Sequence, residues 1–477
     1  MPSPPANQDN FLDRPLEVVV LAAGQGKRMR SALPKVLHPI AGRPMLECVL
    51  ATVDALSPSR VHVVIGHQGE QVRCAIDDRG RTGLNWVTQA EQHGTAHAVS
   101  QALPMVDDAA VVLVTYGDVP LVTAQTLRRC AVEAADGALA LVTAEFEDPA
   151  QLGRILREPG GAIRAIVEYA DASDEERRIR EINSGILALD GRLMKALIAG
   201  VEPHNAQGEY YLTDLIALAV SRNVPVKGLM AADPVEVSGI NDRAQLADAE
   251  RVWQAREANG LMRAGVSIAD PARLDVRGRV SAGEDCFIDI NVVLEGDVHL
   301  GRNVRIGPGC VIRNSALGDD VVVEPHTLVD GAEVAARCTL GPFARIRPGT
   351  VLAEEVRIGN FVETKKARLG RGTKASHLTY LGDATIGEDC NVGAGTVTCN
   401  YDGIDKHPTV IGDRVFVGTN STLVAPIEIG SDAFVAAGST VTSRVSDKEL
   451  AVGRGRQRNI SGWTRPDRRR RKSESTD

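Results

Sequence analysis

Val334-Ala-Ala-Arg-Cys-Thr-Leu340-Gly-Pro-Phe-Ala-Arg-Ile346-Arg-Pro-Gly-Thr-Val-Leu352-Ala-Glu-Glu-Val-Arg-Ile358-Gly places an aliphatic residue at every sixth position. The same spacing runs through Leu294, Leu300, Ile306 and Ile312, and again through Ile411, Val417, Leu423, Ile429, Val435 and Val441. Glycine follows the aliphatic position at Leu300-Gly301, Ile306-Gly307, Leu340-Gly341, Ile358-Gly359, Ile411-Gly412 and Ile429-Gly430. An α-helix repeats every ~3.6 residues and cannot generate sixes over this length. The period is that of a parallel β-helix, in which one side chain per six residues points inward and a small residue turns the corner. The expected architecture over residues 265–463 is a left-handed parallel β-helix of hexapeptide repeats.

Composition agrees. Only 3% of the 477 residues are aromatic and 46 are glycine, as a narrow interior of small and aliphatic side chains requires. At roughly 100–200 residues per domain, the length gives two or three domains. Lys and Arg number 54 against 62 Asp and Glu, a net charge of −8. Nucleic-acid binding needs clustered cations, so no nucleic-acid partner is expected. The eight cysteines (48, 74, 130, 286, 310, 338, 390 and 399) include no Cys-x-x-Cys pair and are expected to be reduced and buried. Residues 1–15, rich in Pro, Asn and Asp, are expected to form a flexible extension without the apolar core of a leader. No apolar run approaches the ~20 residues that span a bilayer, so the expected protein is soluble and cytoplasmic, with no membrane partner. Arg468-Arg-Arg-Arg-Lys472, followed by Ser-Glu-Ser-Thr-Asp, reads as a basic disordered tail over 464–477.

Ahead of the sixes the pattern changes twice. From Asn241 to Ala264 the chain has no Pro, and no Gly before Gly260, with Leu246, Ala249 and Trp253 on one face. This predicts a linker helix over 241–264 with Asn241 or Asp242 as its N-cap. Over 16–240, β-branched runs such as Val61 to Ile65 and Ala109 to Thr115 alternate with helical stretches such as Pro44 to Leu56. Strands separated by helices imply βαβ units and a Rossmann-like, mixed but mostly parallel sheet. Ligands of such sheets bind at the carboxyl ends of strands.

The first strand runs into Leu21-Ala-Ala-Gly-Gln-Gly-Lys-Arg-Met29, and Leu33-Pro-Lys-Val36 follows. Gly24 and Gly26 would let backbone N–H groups approach phosphate oxygens, while Arg28 and Lys35 supply charge. The run is not a Walker A loop, nor a dinucleotide fingerprint, because Met29 stands where a third Gly belongs. A plain tight turn would read the same way. Further on come Gln89-Ala-Glu-Gln-His-Gly-Thr95 and Thr115-Tyr-Gly-Asp-Val-Pro120. Asp118, at a strand's carboxyl end, is placed to hold Mg²⁺, which takes one or two carboxylates plus substrate phosphates; a turn-forming Asp is the plainer alternative. His93 and His97 are four apart, but Gly94 between them and the lack of a Glu partner argue against a zinc pair.

In the sixes, polar residues recur where a solenoid would prefer aliphatics: Arg347-Pro-Gly, Lys365-Lys366-Ala-Arg, Lys374-Ala-Ser-His377-Leu-Thr-Tyr380 and Asn391. The cations could bind a phosphate, and His377, with an ordinary pKa near ~6.5, could take a proton from an attacking amine. A surface His among solvated lysines is the competing reading. Between Cys399 and Ile411 the period is interrupted by Asn400-Tyr401-Asp-Gly-Ile-Asp-Lys406-His-Pro-Thr-Val, a loop of the kind a rigid solenoid extrudes on its binding face.

Taken together, these motifs resemble the sugar-1-phosphate nucleotidylyltransferases, and closely the bacterial bifunctional UDP-N-acetylglucosamine pyrophosphorylase / glucosamine-1-phosphate N-acetyltransferases, over roughly Val18 to Trp463. The resemblance implies that Leu21, Ala22, Ala23 and Gly24 form the nucleotide loop, with Arg28 and Lys35 as its catalytic cations. Gln89, Gly94 and Thr95 fall at uracil contacts, and Tyr116, Gly117 and Asp118 at the sugar- and metal-binding strand end. Gly153, Glu168 and Asn183 match N-acetylglucosamine contacts, and Asn241 the second metal ligand beside Asp118. The implied reaction is attack of N-acetylglucosamine-1-phosphate on the α-phosphorus of UTP, with Mg²⁺ as cofactor. In the second half His377 matches the catalytic base. Arg347, Lys365, Tyr380 and Asn391 match the glucosamine-1-phosphate site. Asn400, Tyr401 and Lys406 fall at substrate and acetyl-CoA contacts, and Ala394, Thr419 (Ser in most relatives), Ala437 and Arg454 at coenzyme A positions. A homotrimer is likewise implied. The alternative is a nucleotidylyltransferase carrying a non-catalytic β-helix that only trimerises or regulates.

Overall fold

The run Leu16–Ala22 is buried at every position, as a strand covered on both faces must be. In the computed structural model, which describes residues 11–203, 205 and 208–464, it is β1 of the first of two units, whose sequence boundary falls between Glu257 and Ala258. With β2 (Arg60–Ile65), β3 (Leu84–Thr88), β4 (Val111–Tyr116), β5 (Leu139–Glu145), β6 (Glu181–Asp190) and β7 (Val226–Met230) it forms a sheet ordered β7-β5-β6-β4-β1-β2-β3. All neighbours pair parallel except β6, which runs antiparallel to β4 and β5. A hairpin of Arg154–Arg157 and Ile163–Val167 is attached to β6. Side chains alternate between the two faces of β1: Val18 and Val20 enter one apolar core, Val19 and Leu21 the other.

Register positions the site. Leu21 of β1 lies beside Tyr116 of β4, Ala22 beside Ile65 of β2, and Ile65 beside Thr88 of β3. Four strands therefore deliver their following loops to one edge.

The first unit's packed chain starts ahead of the expected boundary at residue 16. Leu12 is buried, the Arg128 guanidinium lies 4.6 Å from the Phe11 ring centroid, and Arg14 pairs with Asp190. Residues 11–15 are thus anchored rather than flexible, because they carry an apolar anchor and a charge with a partner. Positions 1–10 and the tail over 465–477 lie outside the described residues. The helix Arg243–Arg263 crosses the unit boundary. Its Ala249, Leu246 and Trp253 pack with Ile40, Met45 and Leu121, whereas Ala258 and Leu261 belong to the core of the second unit.

The second unit builds coils of three short parallel strands, each strand pairing with its counterpart in the next coil. Inward aliphatics stack directly: Val276 on Leu294 on Ile312, Leu340 on Ile358, Val417 on Val435. The interruptions of the six-residue spacing have a local cause. The corner between Leu294 and Leu300 is one residue longer than that between Ile312 and Leu317, where Asn314 takes φ 42°. Asn314, Gly331, Lys366 and Asp383 turn these tighter corners with positive φ, a conformation that Asn and Asp tolerate, Gly adopts freely and Lys366 takes against the usual preference.

Six of the eight free cysteines are buried, but Cys74 is exposed and Cys399 half-exposed. Cys74 departs from the expectation because it falls on the solvent side of the helix Gly69–Asp77, whose buried face is Val72 and Ile76. Among the described residues no helix is long and apolar enough to cross a membrane.

Candidate functional site

The shared edge of β1, β3 and β4 holds a cavity of about 250 Å³ lined by Leu21, Ala22, Ala23, Gly24, Lys35, Gln89, Gly94, Thr95, Tyr116 and Asp118. A groove of about 800 Å³ shares Gly24 and Lys35 with it and adds Gly26, Arg28 and Asn241. Gly26 has φ 61°, and a Cβ there would lie 2.6 Å from Lys35 Cβ, so the loop needs glycine to let Lys35 pass. Gly117 does not line the cavity: the space over its Cα is filled by Leu46, Ala22 and Val36.

Lys35 Nζ donates to the Asp118 carboxylate and, at 2.7 Å, to Asn241 Oδ1. The segment carrying Asn241 is brought there by Ile240 N, which donates to Asp118 O at 3.0 Å. Asp242 caps the following helix, accepting from Gln245 N at 2.9 Å, while Asn241 N donates to Gln245 Oε1 at 2.7 Å. The cap role therefore falls to Asp242, and the side chain of Asn241 is left for the cavity. Asp118 and Asn241 thus aim two hard oxygens at one point, and the ammonium of Lys35 shows that this point suits a cation. One carboxylate and one amide oxygen, completed by phosphate oxygens and water, suit a divalent metal that keeps much of its shell.

Gly153, Glu168 and Asn183 form a group of their own. Asn183 N donates to Gly153 O at 2.9 Å, and a Cβ on Gly153 would lie 3.2 Å from the Glu168 carboxylate. Glu168 accepts from Thr213 Oγ1 at 3.2 Å; burial pushes its pKa up, with nearby Asp171 and Asp214 adding to the rise. Asn183 Oδ1 accepts from Gly185 N at 2.8 Å, and Gly185, at φ 79°, lies against the Tyr116 ring, which ties this group to the cavity.

Gln92, Glu209 and His97 were not expected among the residues of this site. Gln92 Nε2 donates to Ala23 O at 2.6 Å, Glu209 lines the cavity, and His97 Nδ1 lies 3.1 Å from Gln89 Nε2. Gln92 stands in the same motif as Gln89, three residues on, which is its only trace in the sequence. Glu209 is brought in because Tyr210 brackets Gly94: Tyr210 N donates to His93 O and Ala96 N to Tyr210 O.

In the second unit, Arg347, Lys365 and Tyr380 stand on one face of the coils. Arg347 Nη1 pairs with Glu363 at 2.7 Å, and Glu363 lies beside Tyr380 in the register. The loop closes on them, since Asn400 Nδ2 donates to Asp383 Oδ2 at 2.5 Å and the Lys406 ammonium reaches Lys365. The lysine contact, followed by burial and then Arg347, holds the pKa of Lys365 below the usual lysine value. Asp402 braces the loop by accepting from Ile404 N and Asp405 N, both at 2.8 Å, and from His407 Nε2 at 2.8 Å. These contacts hold its carboxyl well below the usual range, the His407 bond most of all. Tyr401 is 58% exposed, and its hydroxyl donates to Gly403 O at 2.6 Å.

His377 sits at a corner, with Nδ1 2.6 Å from Asn360 Oδ1 one coil away. An amide oxygen can only accept, so Nδ1 is the donor of this contact and Nε2 is the ring nitrogen left for other partners. Asn360 was not anticipated; its signal is its place 17 residues ahead of His377, one coil earlier. Asn391 is not with the Arg347 group. It lies on another face, between Lys374 and Phe416. Ala394, Thr419 and Ala437 follow Val392, Val417 and Val435 at equivalent corners of successive coils, and Arg454 Nη1 donates to Ala437 O at 2.6 Å.

Comparison with known proteins joins the two halves. Residues 18–185 match the family model described as MobA-like NTP transferase domain, 276–371 that of the GMPPB C-terminal domain, and 408–443 the hexapeptide repeat of succinyl-transferase. A protein of Alkalilimnicola ehrlichii named Bifunctional protein GlmU is 53% identical over 98% of this chain and the whole of its own. Proteins of the same name from Marinobacter nauticus and Pseudoalteromonas atlantica are 51% and 49% identical over 95% and 94% of the chain, and 99% and 98% of their own lengths. With a nucleotidyltransferase sheet and a hexapeptide β-helix on one polypeptide aligned end to end with these relatives, the chain belongs to the GlmU family of bifunctional uridylyltransferase and N-acetyltransferase enzymes.

Proposed function

We propose that the two activities use the sites described above. The β-helix acetylates the amine of glucosamine-1-phosphate from acetyl-CoA, and the first unit transfers uridylyl from UTP to the resulting N-acetylglucosamine-1-phosphate, releasing pyrophosphate. The observation that carries the first assignment is the convergence of Lys35, Asp118 and Asn241 at the carboxyl ends of adjacent parallel strands. The sugar phosphate attacks directly, so positioning and charge neutralisation supply the catalysis and no protein nucleophile is needed. Backbone N–H groups at Gly24 and Gly26 cradle phosphate oxygens, and Arg28 and Lys35 offset the charge that builds on the leaving group. Asp118 and Asn241 would hold Mg²⁺, which would supply further neutralisation at the α-phosphate. Glu168 and Asn183 orient the sugar.

For acetyl transfer, Nε2 of His377 takes the proton from the amine as it attacks the thioester, and Asn360 fixes the tautomer that makes this possible. Arg347, Lys365 and Lys406 bind the sugar phosphate. Ala394, Thr419, Ala437 and Arg454 form a rail for coenzyme A along one corner. Within one chain Asn391 stands on a different face from the Arg347 group, which favours a homotrimer in which neighbouring copies complete each site. The enzyme works in the cytoplasm, where UTP and acetyl-CoA are available.

The test is thiol release from acetyl-CoA with glucosamine-1-phosphate and no UTP, with N-acetylglucosamine-1-phosphate as the blocked-amine control. Thiol that appears only with the free amine and vanishes in His377→Ala supports the assignment. No thiol, from protein that still makes UDP-N-acetylglucosamine, would make the β-helix a scaffold.

A further inference from the structure

Gln89 is 4% exposed, yet it lines the nucleotide cavity. Its amide nitrogen donates to Gly94 O at 3.2 Å and lies 3.1 Å from His97 Nδ1. A carbonyl oxygen can only accept, so the group facing Gly94 must be the NH₂ and not the oxygen. The second hydrogen of that NH₂ is then directed at His97 Nδ1, which is the acceptor of this contact. Both donors of Gln89 are thereby used. Its Oε1 has no hydrogen-bond partner among the described residues, in a side chain that lines the cavity. The frame behind this is rigid: Gly94, at φ 108°, is pressed against Tyr210, where a Cβ would lie 2.5 Å from the carbonyl oxygen. Ser100 Oγ donates to the backbone carbonyl of His97 at 2.8 Å, which fixes the first turn of the helix Thr95–Ala102.

We infer that His97 is a positioning residue that, together with the Gly94 carbonyl, sets the nucleobase specificity of the enzyme by holding the Gln89 amide in one orientation, so that only a hydrogen-bond acceptor faces the base. The inference rests on the reading that Gln89 meets the base of the nucleotide. Uracil presents an N3–H to such an acceptor, whereas cytosine presents the N3 lone pair, which the Gln89 oxygen repels. A site built around one hydrogen bond rejects the analogue that cannot make it, because a buried polar group is then left unpaired. If the amide could turn over, its NH₂ would face the base and the same pocket would accept cytosine. His97 adds to the opposition of the Gly94 carbonyl, since each offers a lone pair where the flipped oxygen would have to sit.

The experiment compares kcat/KM for UTP and CTP, with N-acetylglucosamine-1-phosphate and pyrophosphate release as readout, in the full chain and in His97→Leu and His97→Asn. Leu and Asn are close in shape, but only Asn offers an acceptor. In His97→Leu the UTP:CTP ratio is expected to fall by ~10-fold or more, and in His97→Asn to stay near that of the parent. A loss of kcat shared by both nucleotides, with the same ratio in both variants, would make His97 a packing residue and overturn the inference. If the Leu variant does not fold, a ratio in His97→Asn that drops as far as ~10-fold also overturns it. A parent protein that uses neither nucleotide would remove the functional reading itself, which separates that failure from the failure of this inference.

Discussion

Lys35 in the first unit is held by a carboxylate and an amide oxygen, whereas Lys365 in the second is flanked by Lys406 and Arg347. The two sites therefore hold opposite imbalances. The first has oxygens that converge on a point satisfied by a cation, and strand register builds it wholly within one unit. The second sets the Lys406 ammonium against that of Lys365, with Arg347 already paired to Glu363, and it spreads its remaining residues over corners and faces of a solenoid. A sheet focuses its loops at one edge; a β-helix repeats its corners along an axis. The first geometry suits one compact displacement at phosphorus. The second suits a long cofactor laid along a rail.

The sharpest way to break this division is to disable each site alone. Asp118→Ala should lower uridylyl transfer by ~10³-fold or more while acetyl transfer, measured as thiol release in the same preparation, is unchanged. His377→Ala should do the reverse, with acetyl transfer falling ~10²–10⁴-fold, the usual range for a general base. Loss of both activities from either substitution would show that the sites are not independent.

The opposite charge states predict opposite effects on stability. Lys35→Met leaves the Asp118 carboxylate, 22% exposed, without its cation, which should cost about 1–3 kcal/mol in urea unfolding with chelator present. Lys365→Met removes a repelled charge and should leave unfolding unchanged or raise its midpoint, while KM for glucosamine-1-phosphate rises ~10-fold or more. Equal destabilisation by both substitutions would remove the contrast.

A pH profile sharpens it. The pKa of Lys365 is lowered in the folded chain, so the fold disfavours its charged form. The penalty is present below that folded pKa and is relieved as pH rises through it, so this group makes the folded chain relatively more stable on the alkaline side. Phosphate binding changes in the other direction, because it needs the charge. KM for glucosamine-1-phosphate should rise at a pH below the ordinary lysine value of ~10.4, and Lys406→Gln should move that rise upward. A profile that Lys406→Gln leaves in place would show that Lys406 does not set the charge on Lys365.

The two regions also differed in how far their sequences could be read. The β-helix was legible from spacing alone, because Val334, Leu340, Ile346 and Leu352 must all point inward and nothing distant alters that. Its shortened corners were not, since Asn314 in αL takes the place of a residue without any change in the type of the neighbouring aliphatics. In the first unit the loops were legible as motifs, but their meeting depended on register. Nothing between Asp118 and Asn241 in the chain indicates that Ile240 N bonds Asp118 O. The same holds for His97 and Asn360, each of which contacts one atom of a neighbour several residues or one coil away. Such partners are specified by tertiary distance and leave only a residue type behind in the sequence.

The smallest expected effect concerns the thiols, which sort by environment rather than by unit. Burial pushes Cys48 up to about 12 and Cys338 to about 11, and both are buried, so neither forms thiolate near neutral pH. Cys74 is exposed, and although partial desolvation and then Glu70 raise its pKa, the reagent can reach it. Titration of the native protein with an aromatic disulfide should therefore show one early thiol, lost in Cys74→Ser, followed by a slower one at the half-exposed Cys399. The slow thiol should be protected by glucosamine-1-phosphate and not by UTP, because Cys399 directly precedes Asn400, where the loop that closes on the Arg347 group begins. Protection of the early thiol by either ligand would contradict the separation, since Cys74 lies on a helix that contributes nothing to the lining of the nucleotide cavity.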